Sequence, residues 1–98
     1  MSELAESELT EIARAAALRV PGLGTVERVK VDERLDSSDE PAYYFSFLVG
    51  QGYDPESGGV ARIRLGQNLR DALMAREDGH YPYITLLTRA DWEKREGA

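Results

Sequence analysis

The chain has 98 residues with 12 basic and 18 acidic side chains, so its formal net charge is −6, and it contains no cysteine. This length suits one domain spanning residues 1–98, with a core that needs no disulfide or metal. The lack of cysteine excludes disulfides, thiol catalysis and cysteine-ligated zinc or iron–sulfur clusters. The negative charge disfavours generic binding to double-stranded DNA or to a membrane, because both are themselves anionic.

The distribution of apolar residues and the acidic start of the sequence predict a cytoplasmic location. No segment approaches the roughly 20 apolar residues that a membrane span needs. The first residues, Met1-Ser2-Glu3-Leu4-Ala5-Glu6, are acidic, whereas a signal peptide starts with basic residues and continues with apolar ones. Arginine outnumbers lysine and alanine is abundant, which is typical of GC-rich bacterial genomes and predicts a bacterial protein.

The first half of the chain predicts one helix followed by two strands. Apolar residues at three- and four-residue spacing predict a helix over residues 2–20, which Pro21 and Gly22 end. Alternating side chains predict strands over residues 25–35 and 42–49, joined by a polar turn at residues 36–41.

The second half predicts a glycine-rich loop, two more strands and two more helices. The loop covers residues 50–59, and we expect it and the tail at residues 95–98 to be mobile. Residues 60–65 alternate like a third strand, residues 66–77 read as a helix, and residues 81–87 as a fourth strand with Pro82 near its start. Thr88-Arg89-Ala90-Asp91 resembles a capping box, which predicts a short final helix carrying Trp92.

These elements predict an α+β fold with the order α-β-β-β-α-β and a terminal α-helix. Short turns favour an antiparallel meander of the first three strands. The expected architecture has two layers: a three- to four-stranded, mainly antiparallel sheet with helices on one face. This order is similar to that of double-stranded RNA-binding domains, but the lysine-rich start of their second helix has no counterpart at residues 66–71. No family is identified.

The face of the sheet that lies away from the helices is the most informative pattern. Strand side chains alternate between faces, so a core face made of Val29, Val31, Phe45, Phe47, Ala61 and Ile63 places basic and aromatic residues opposite. The candidate binding residues there are Arg28, Lys30, Tyr44, Arg62, Arg64 and Tyr83, accompanied by Arg34, Ser46, Thr85 and the single carboxylate Asp32. This face either docks a partner or is a solvated face whose arginines lie over tyrosine rings.

We therefore expect a small non-catalytic module that works by contact with a protein, a second copy of itself included. Residues 1–56 hold 5 basic and 12 acidic residues, or −7, whereas residues 57–98 hold 7 and 6, or +1. The acidic Asp32–Glu40 turn of one copy would meet Arg62 and Arg64 of another, which favours a homodimer. The alternative partner is a single-stranded nucleic acid or another anion, with bases stacked on Tyr44 and Tyr83.

An enzyme with a site near His80 is the least favoured alternative. His80 is the only histidine, and no Gly-x-Ser-x-Gly elbow supplies a nucleophile. The glycine loop has Pro55 where a dinucleotide fingerprint needs its third glycine. Asp54 and Glu56 are too few carboxylates for a calcium loop. We expect no catalytic residue, no metal site and no cofactor.

Overall fold

The computed structural model describes residues 4–56 and 58–96, whose elements follow the order α-β-β-α-β-α. The elements are α1 (Glu6–Leu18), β1 (Val26–Leu35), β2 (Pro41–Val49), α2 (Gly58–Ala75), β3 (Tyr81–Leu87) and α3 (Arg89–Glu96). The α+β class and a three-stranded sheet are confirmed.

The three strands form a mixed sheet with the order β1-β2-β3. β1 and β2 are antiparallel, because a short polar turn joins them, and Val31 lies opposite Phe45. β2 and β3 are parallel, with Tyr44 opposite Tyr83, because α2 carries the chain back to the starting end of the sheet. β3 is therefore an edge strand, where the missing amide of Pro82 is tolerated.

The strand predicted over residues 60–65 is wrong, because this segment is the start of α2. Its alternation also fits a helical period: Ala61, Leu65, Leu69 and Leu73 recur every four residues and are all buried. Ile63, expected in the core, is 62% exposed. The element order loses one strand, and the predicted three-strand meander becomes a hairpin followed by a crossover.

The main core lies between one face of the sheet and the helices α1 and α2. Its largest fully buried side chains on the sheet are those of Tyr43, Phe45 and Phe47, which share one face of β2 as the alternation predicts. α1 contributes a buried stripe, and it begins where the Glu8 carboxylate accepts the amide N–H of Ala5 at 3.2 Å.

The prediction that all helices lie on one face is wrong, because α3 packs on the opposite face of the sheet. Trp92 of α3 is 8% exposed and forms a second apolar cluster with Leu48 and Leu87. The predicted cap is present, since the hydroxyl oxygen of Thr88 accepts the amide N–H of Asp91 at 3.4 Å. At the ends of β2 and β3 the side chains that face this second side of the sheet are apolar, which explains why a helix packs there.

The glycine-rich loop runs beside the segment that leads into β1. The amide N–H of Thr25 donates to the carbonyl of Gln51 at 2.9 Å, and that of Gly50 donates to the carbonyl of Thr25 at 2.8 Å. These bonds extend the β1–β2 pairing beyond the strand ends. The expected mobility of residues 50–59 and 95–98 stays a prediction; Ser57 and residues 97–98 lie outside the described residues.

Candidate functional site

The outer face of the sheet, opposite α1 and α2, is made of the alternate residues that do not enter the main core. Across the three strands Asp32, Tyr44 and Tyr83 form one row, and Lys30, Ser46 and Thr85 form the next. The strand registers therefore place four of the six candidate residues on this face: Arg28, Lys30, Tyr44 and Tyr83.

α3 covers one half of the outer face. Leu48 and Leu87 are buried under Trp92, and the guanidinium of Arg95 donates to the hydroxyl of Ser46 at 3.3 Å. A narrow cavity of about 70 Å³ remains between this helix and the strands, lined by Lys30, Asp32 and Ser46 among others. The expected open face is thus open only at its other half.

The open half of the outer face carries a cluster of three tyrosines. The rings of Tyr44 and Tyr83 stack with centroids 4.9 Å apart, and Tyr81 meets Tyr83 edge-on at 4.8 Å. Tyr81 is 47% exposed and Tyr83 37% exposed. We call Tyr44, Tyr81 and Tyr83 the tyrosine surface. Mutual stacking fixes these rings, so the surface presents a preformed aromatic patch to solvent.

Two guanidinium groups flank the tyrosine surface. Arg34 lies over the ring of Tyr44 at 4.1 Å from its centroid, and Arg70 of α2 lies over the ring of Tyr81 at 5.6 Å. Both distances are within cation–π range. The contact of Arg34 is the one expected if the outer face is solvated, with its arginines lying over tyrosine rings. The contact of Arg70 with Tyr81 was not predicted from the sequence.

Asp36 fixes the hydroxyl of Tyr83. The Tyr83 hydroxyl donates to Oδ2 of Asp36 at 2.9 Å, while Oδ1 of Asp36 accepts the amides of Glu40 at 3.1 Å and Ser38 at 2.8 Å. The amide bonds from Glu40 and Ser38, together with the Tyr83 hydroxyl, hold the pKa of Asp36 below its usual value. Because the Asp36 carboxylate accepts a hydrogen bond from the Tyr83 hydroxyl, the pKa of Tyr83 is raised and the hydroxyl stays protonated at neutral pH.

A groove runs between α2 and β3 at the edge of the tyrosine surface. It has a volume of about 420 Å³, and its walls include Arg62, Ile63 and Arg70 from α2 and Tyr81, Tyr83 and Ile84 from β3. The structure thus places Arg62 and Tyr83 in the walls of one groove, with Arg62 on α2 and Tyr83 on β3, and not together on one face of a sheet.

The placement of Arg62 and Arg64 on the sheet is a wrong prediction, because both residues belong to α2. Arg62 lines the groove, whereas Arg64 is exposed elsewhere on the helix. Sequence reasoning missed Tyr81, Ile63 and Arg70 as surface residues. The signals that point to them are the Tyr-x-Tyr alternation of β3 and the seven-residue spacing of Ile63 and Arg70, which puts both on one helix face.

His80 lies in a second cluster, at the end of the main core. Its Nδ1 is 2.6 Å from Oδ1 of Asp78, and its Nε2 is 2.8 Å from Oε2 of Glu33. The hydroxyl of Tyr43 donates to the other oxygen of Asp78 at 2.6 Å. Asp78 is only two residues from His80 in the sequence, and the turn between α2 and β3 brings the two side chains into contact.

The pKa values in this cluster shift in opposite directions. Burial raises the pKa of Asp78, but hydrogen bonds from the Tyr43 hydroxyl and from the His80 amide and ring outweigh it, so the net pKa lies below its usual value. Burial lowers the pKa of His80, but the bonds to Glu33 and Asp78 outweigh it and leave the net pKa above its usual value. The cluster therefore favours a charged imidazolium between two carboxylates.

This arrangement ties three parts of the fold together, because both ring nitrogens of His80 contact carboxylates. Glu33 and Asp78 contact different nitrogens of His80, so the two carboxylates do not converge on one point. Within the described residues, no three His, Asp or Glu side chains are grouped to hold a metal ion. Across residues 4–56 and 58–96, no helix combines the length and the apolar character that membrane crossing requires.

Comparison with known proteins gives a likeness of fold. No protein-family model and no curated protein matches the chain. A variant of the MamM CTD, solved in a copper form, is 13% identical with a TM-score of 0.55 over 87% of this chain and 99% of that chain. A second MamM CTD variant is 13% identical with a TM-score of 0.54, over 85% and 94% of the two chains. At such identity the likeness shows that the chain has the fold of the MamM CTD structures.

Proposed function

We propose that the chain is a non-catalytic module that acts by binding another protein through the tyrosine surface. The observation that carries this proposal is the stacked cluster of Tyr44, Tyr81 and Tyr83, in which Tyr81 and Tyr83 are exposed. Tyrosine is enriched at protein interfaces because it contributes a large contact area at a low cost in side-chain entropy. Here stacking already restricts the rings, so a partner loses less entropy in ordering them. The cytoplasmic location is part of the same proposal.

The contacts that Tyr44 and Tyr83 already make support a protein partner more than a single-stranded nucleic acid stacked on these two rings. Tyr44 already stacks on Tyr83 and lies under Arg34, so its ring is engaged within the chain. Asp32 and Asp36 lie next to the same rings and would repel phosphates. A partner that offers apolar groups and hydrogen bonds to the tyrosine hydroxyls matches this surface better.

The copper named for one MamM CTD structure does not enter this proposal. Both ring nitrogens of His80 contact carboxylates at hydrogen-bond distance, and those carboxylates lie on different sides of the ring. A metal would have to displace one of these contacts and recruit further ligands. The proposal therefore rests on protein contact alone.

A photo-crosslinking experiment tests the proposal. A photoreactive phenylalanine analogue replaces Tyr81 in one variant and Leu18, which is 88% exposed on α1, in a matched control. After irradiation in native cells and nuclease treatment, we expect protein adducts at position 81 and not at position 18. An adduct of twice the chain's mass identifies a second copy as the partner. Adducts that nuclease removes, equal adducts at both positions, or none at position 81 would overturn the proposal.

A further inference from the structure

The two edges of the sheet differ sharply in charge. β1, at one edge, carries six charged residues among its ten: Glu27, Arg28, Lys30, Asp32, Glu33 and Arg34. β3, at the other edge, has seven residues and none is charged. Charged side chains on an edge strand discourage another strand from pairing with it, and β3 lacks this protection. In the part of the chain that the structure describes, β3 pairs only with β2.

A continuous groove follows the free edge of β3. The cavity of about 420 Å³ beside Tyr81 and Tyr83 adjoins one of about 270 Å³ beside Thr85 and Leu86. The two share Arg62 and Ile84, so together they extend along nearly the whole strand. The space is therefore long enough for an extended segment of about the length of β3.

The groove is positively charged although the chain as a whole is negative. Among the described residues that line it, Arg62 and Arg70 are charged and no carboxylate is present. Ile63 and Ile84 supply apolar surface between these guanidinium groups. In an added strand, alternate side chains face the same way, so acidic residues on the α2 side would reach the arginines, while the apolar residues between them would face the other side, beside Tyr81 and Tyr83.

We propose that this groove binds an extended acidic segment of a partner protein, which adds to the sheet as a fourth strand beside β3. The inference rests on the proposed function and names the chemistry of its partner. Backbone hydrogen bonds to the free edge would supply affinity, and pairing with Arg62 and Arg70 would supply selectivity. A second copy fits poorly, because two β3 edges paired about a two-fold axis would bring the arginines of both grooves together.

A peptide-binding experiment tests this assignment. The probe is a fluorescent seven-residue peptide of alternating glutamate and valine, which matches β3 in length. We expect the full chain to bind it and the double variant Arg62→Gln/Arg70→Gln to bind it about tenfold or more weakly, because two charge-assisted contacts are lost. Arg64→Gln, also exposed on α2 but outside the groove, is the matched control and should bind like the unaltered chain.

Two further probes separate strand addition from simple charge attraction. A peptide with the same side chains but N-methylated at every residue has no amide N–H to donate on either edge, so we expect its binding to be lost. Single-stranded oligothymidine carries the charge without the peptide backbone, and we expect it to bind more weakly than the acidic peptide. Equal binding of the methylated peptide, an equal loss in Arg64→Gln, or tighter binding of oligothymidine would overturn the inference.

The two proposals fail in distinguishable ways. If position 81 crosslinks to a protein but the acidic peptide does not bind more tightly than about 1 mM, the protein-binding function stands and the acidic-strand inference is wrong. If the peptide binds in the groove but no cellular protein crosslinks at position 81, the groove chemistry stands and the proposed function is wrong.

Discussion

The imidazole ring of His80 stacks on the phenol ring of Tyr43, with ring centroids 4.2 Å apart and planes 8° from parallel. Tyr43 is fully buried in the middle strand, while His80 lies in the turn between α2 and β3. The stack places the two ring nitrogens of His80 toward Asp78 and Glu33. One titratable ring thus links all three strands at this end of the sheet.

The first prediction concerns the pH dependence of stability. The raised pKa of His80 means that its contribution is complete below its usual value of 6.5 and is lost as pH rises through the folded-state pKa. The lowered pKa of Asp78 means that its contribution is present above its usual value of 3.8 and is lost as pH falls through the folded-state pKa. The cluster therefore stabilises the fold most between these two values.

Urea unfolding at about pH 5.5 and about pH 8.5 checks this prediction. We expect the free energy of unfolding to fall toward the higher pH in the unaltered chain, and to fall less in His80→Gln, which keeps a polar side chain without the titration. An identical pH dependence in the two proteins would contradict a role for His80.

The second prediction concerns the hydroxyl of Tyr43. Tyr43→Phe keeps the ring stack but removes the donor to Asp78, a residue that is 4% exposed. A buried carboxylate that loses a hydrogen bond costs about 1–3 kcal/mol of unfolding free energy. Tyr44→Phe is the matched control on the same strand, and we expect a change below about 0.5 kcal/mol because that residue lies on the partly exposed outer face. Equal losses in both variants would contradict the prediction.

The sequence predicted the side of each strand better than the contacts between distant segments. Phe45 and Phe47 are in the main core, and Tyr44 and Tyr83 share the outer face, because alternation along a strand is a local property. Residues 60–65 were misassigned because Val-Ala-Arg-Ile-Arg-Leu fits both a two-residue and a helical period. Only the later repeats at Leu69 and Leu73 show that the helical period continues.

The sequence predicted those features of the candidate site that follow from alternation within a single strand, and it did not predict the contacts between distant segments. The contact of His80 with Glu33 joins residues 47 positions apart, and that of Tyr43 with Asp78 joins residues 35 apart. Both contacts depend on the crossover that makes β3 parallel to β2. Since the alternation of residues 60–65 predicts a third strand where this crossover begins, neither the His80 cluster nor the groove beside β3 could be predicted from the sequence.

The third prediction concerns Gly24, in the segment before β1. Its φ is +75°, and a Cβ at this position would overlap backbone atoms of Gln51, Gly52 and Tyr53. Gly24→Ala therefore combines an unfavourable backbone conformation with a clash that side chains cannot relieve, and we expect a loss of at least about 2 kcal/mol in urea unfolding. Gly59→Ala is the control, since its Cβ would meet open space within α2 and alanine favours helix by up to about 1 kcal/mol. A small effect at Gly24 would show that the two loops are not held together.

The fourth prediction concerns the attachment of α3. Trp92 is the only tryptophan, and it covers Leu48 and Leu87 on the outer face. Trp92→Ala removes most of the apolar contact between the helix and the sheet, and core truncations of this kind cost about 3–5 kcal/mol when the site cannot relax. Since α3 is terminal among the described elements and can detach, we expect a smaller loss, together with faster proteolytic cleavage within α3.

Lys94→Ala is the matched control for Trp92→Ala, because it truncates an exposed side chain on the same helix. We expect it to unfold at the same urea concentration as the unaltered chain and to resist protease equally. Release of α3 would also expose Leu48, which is 1% exposed in the folded chain, so Trp92→Ala should bind an apolar dye that Lys94→Ala does not. If Trp92→Ala kept full protease resistance and bound no dye, α3 would be held to the sheet by its polar contacts, such as that of Arg95 with Ser46, and the apolar cluster would not be what closes this half of the outer face.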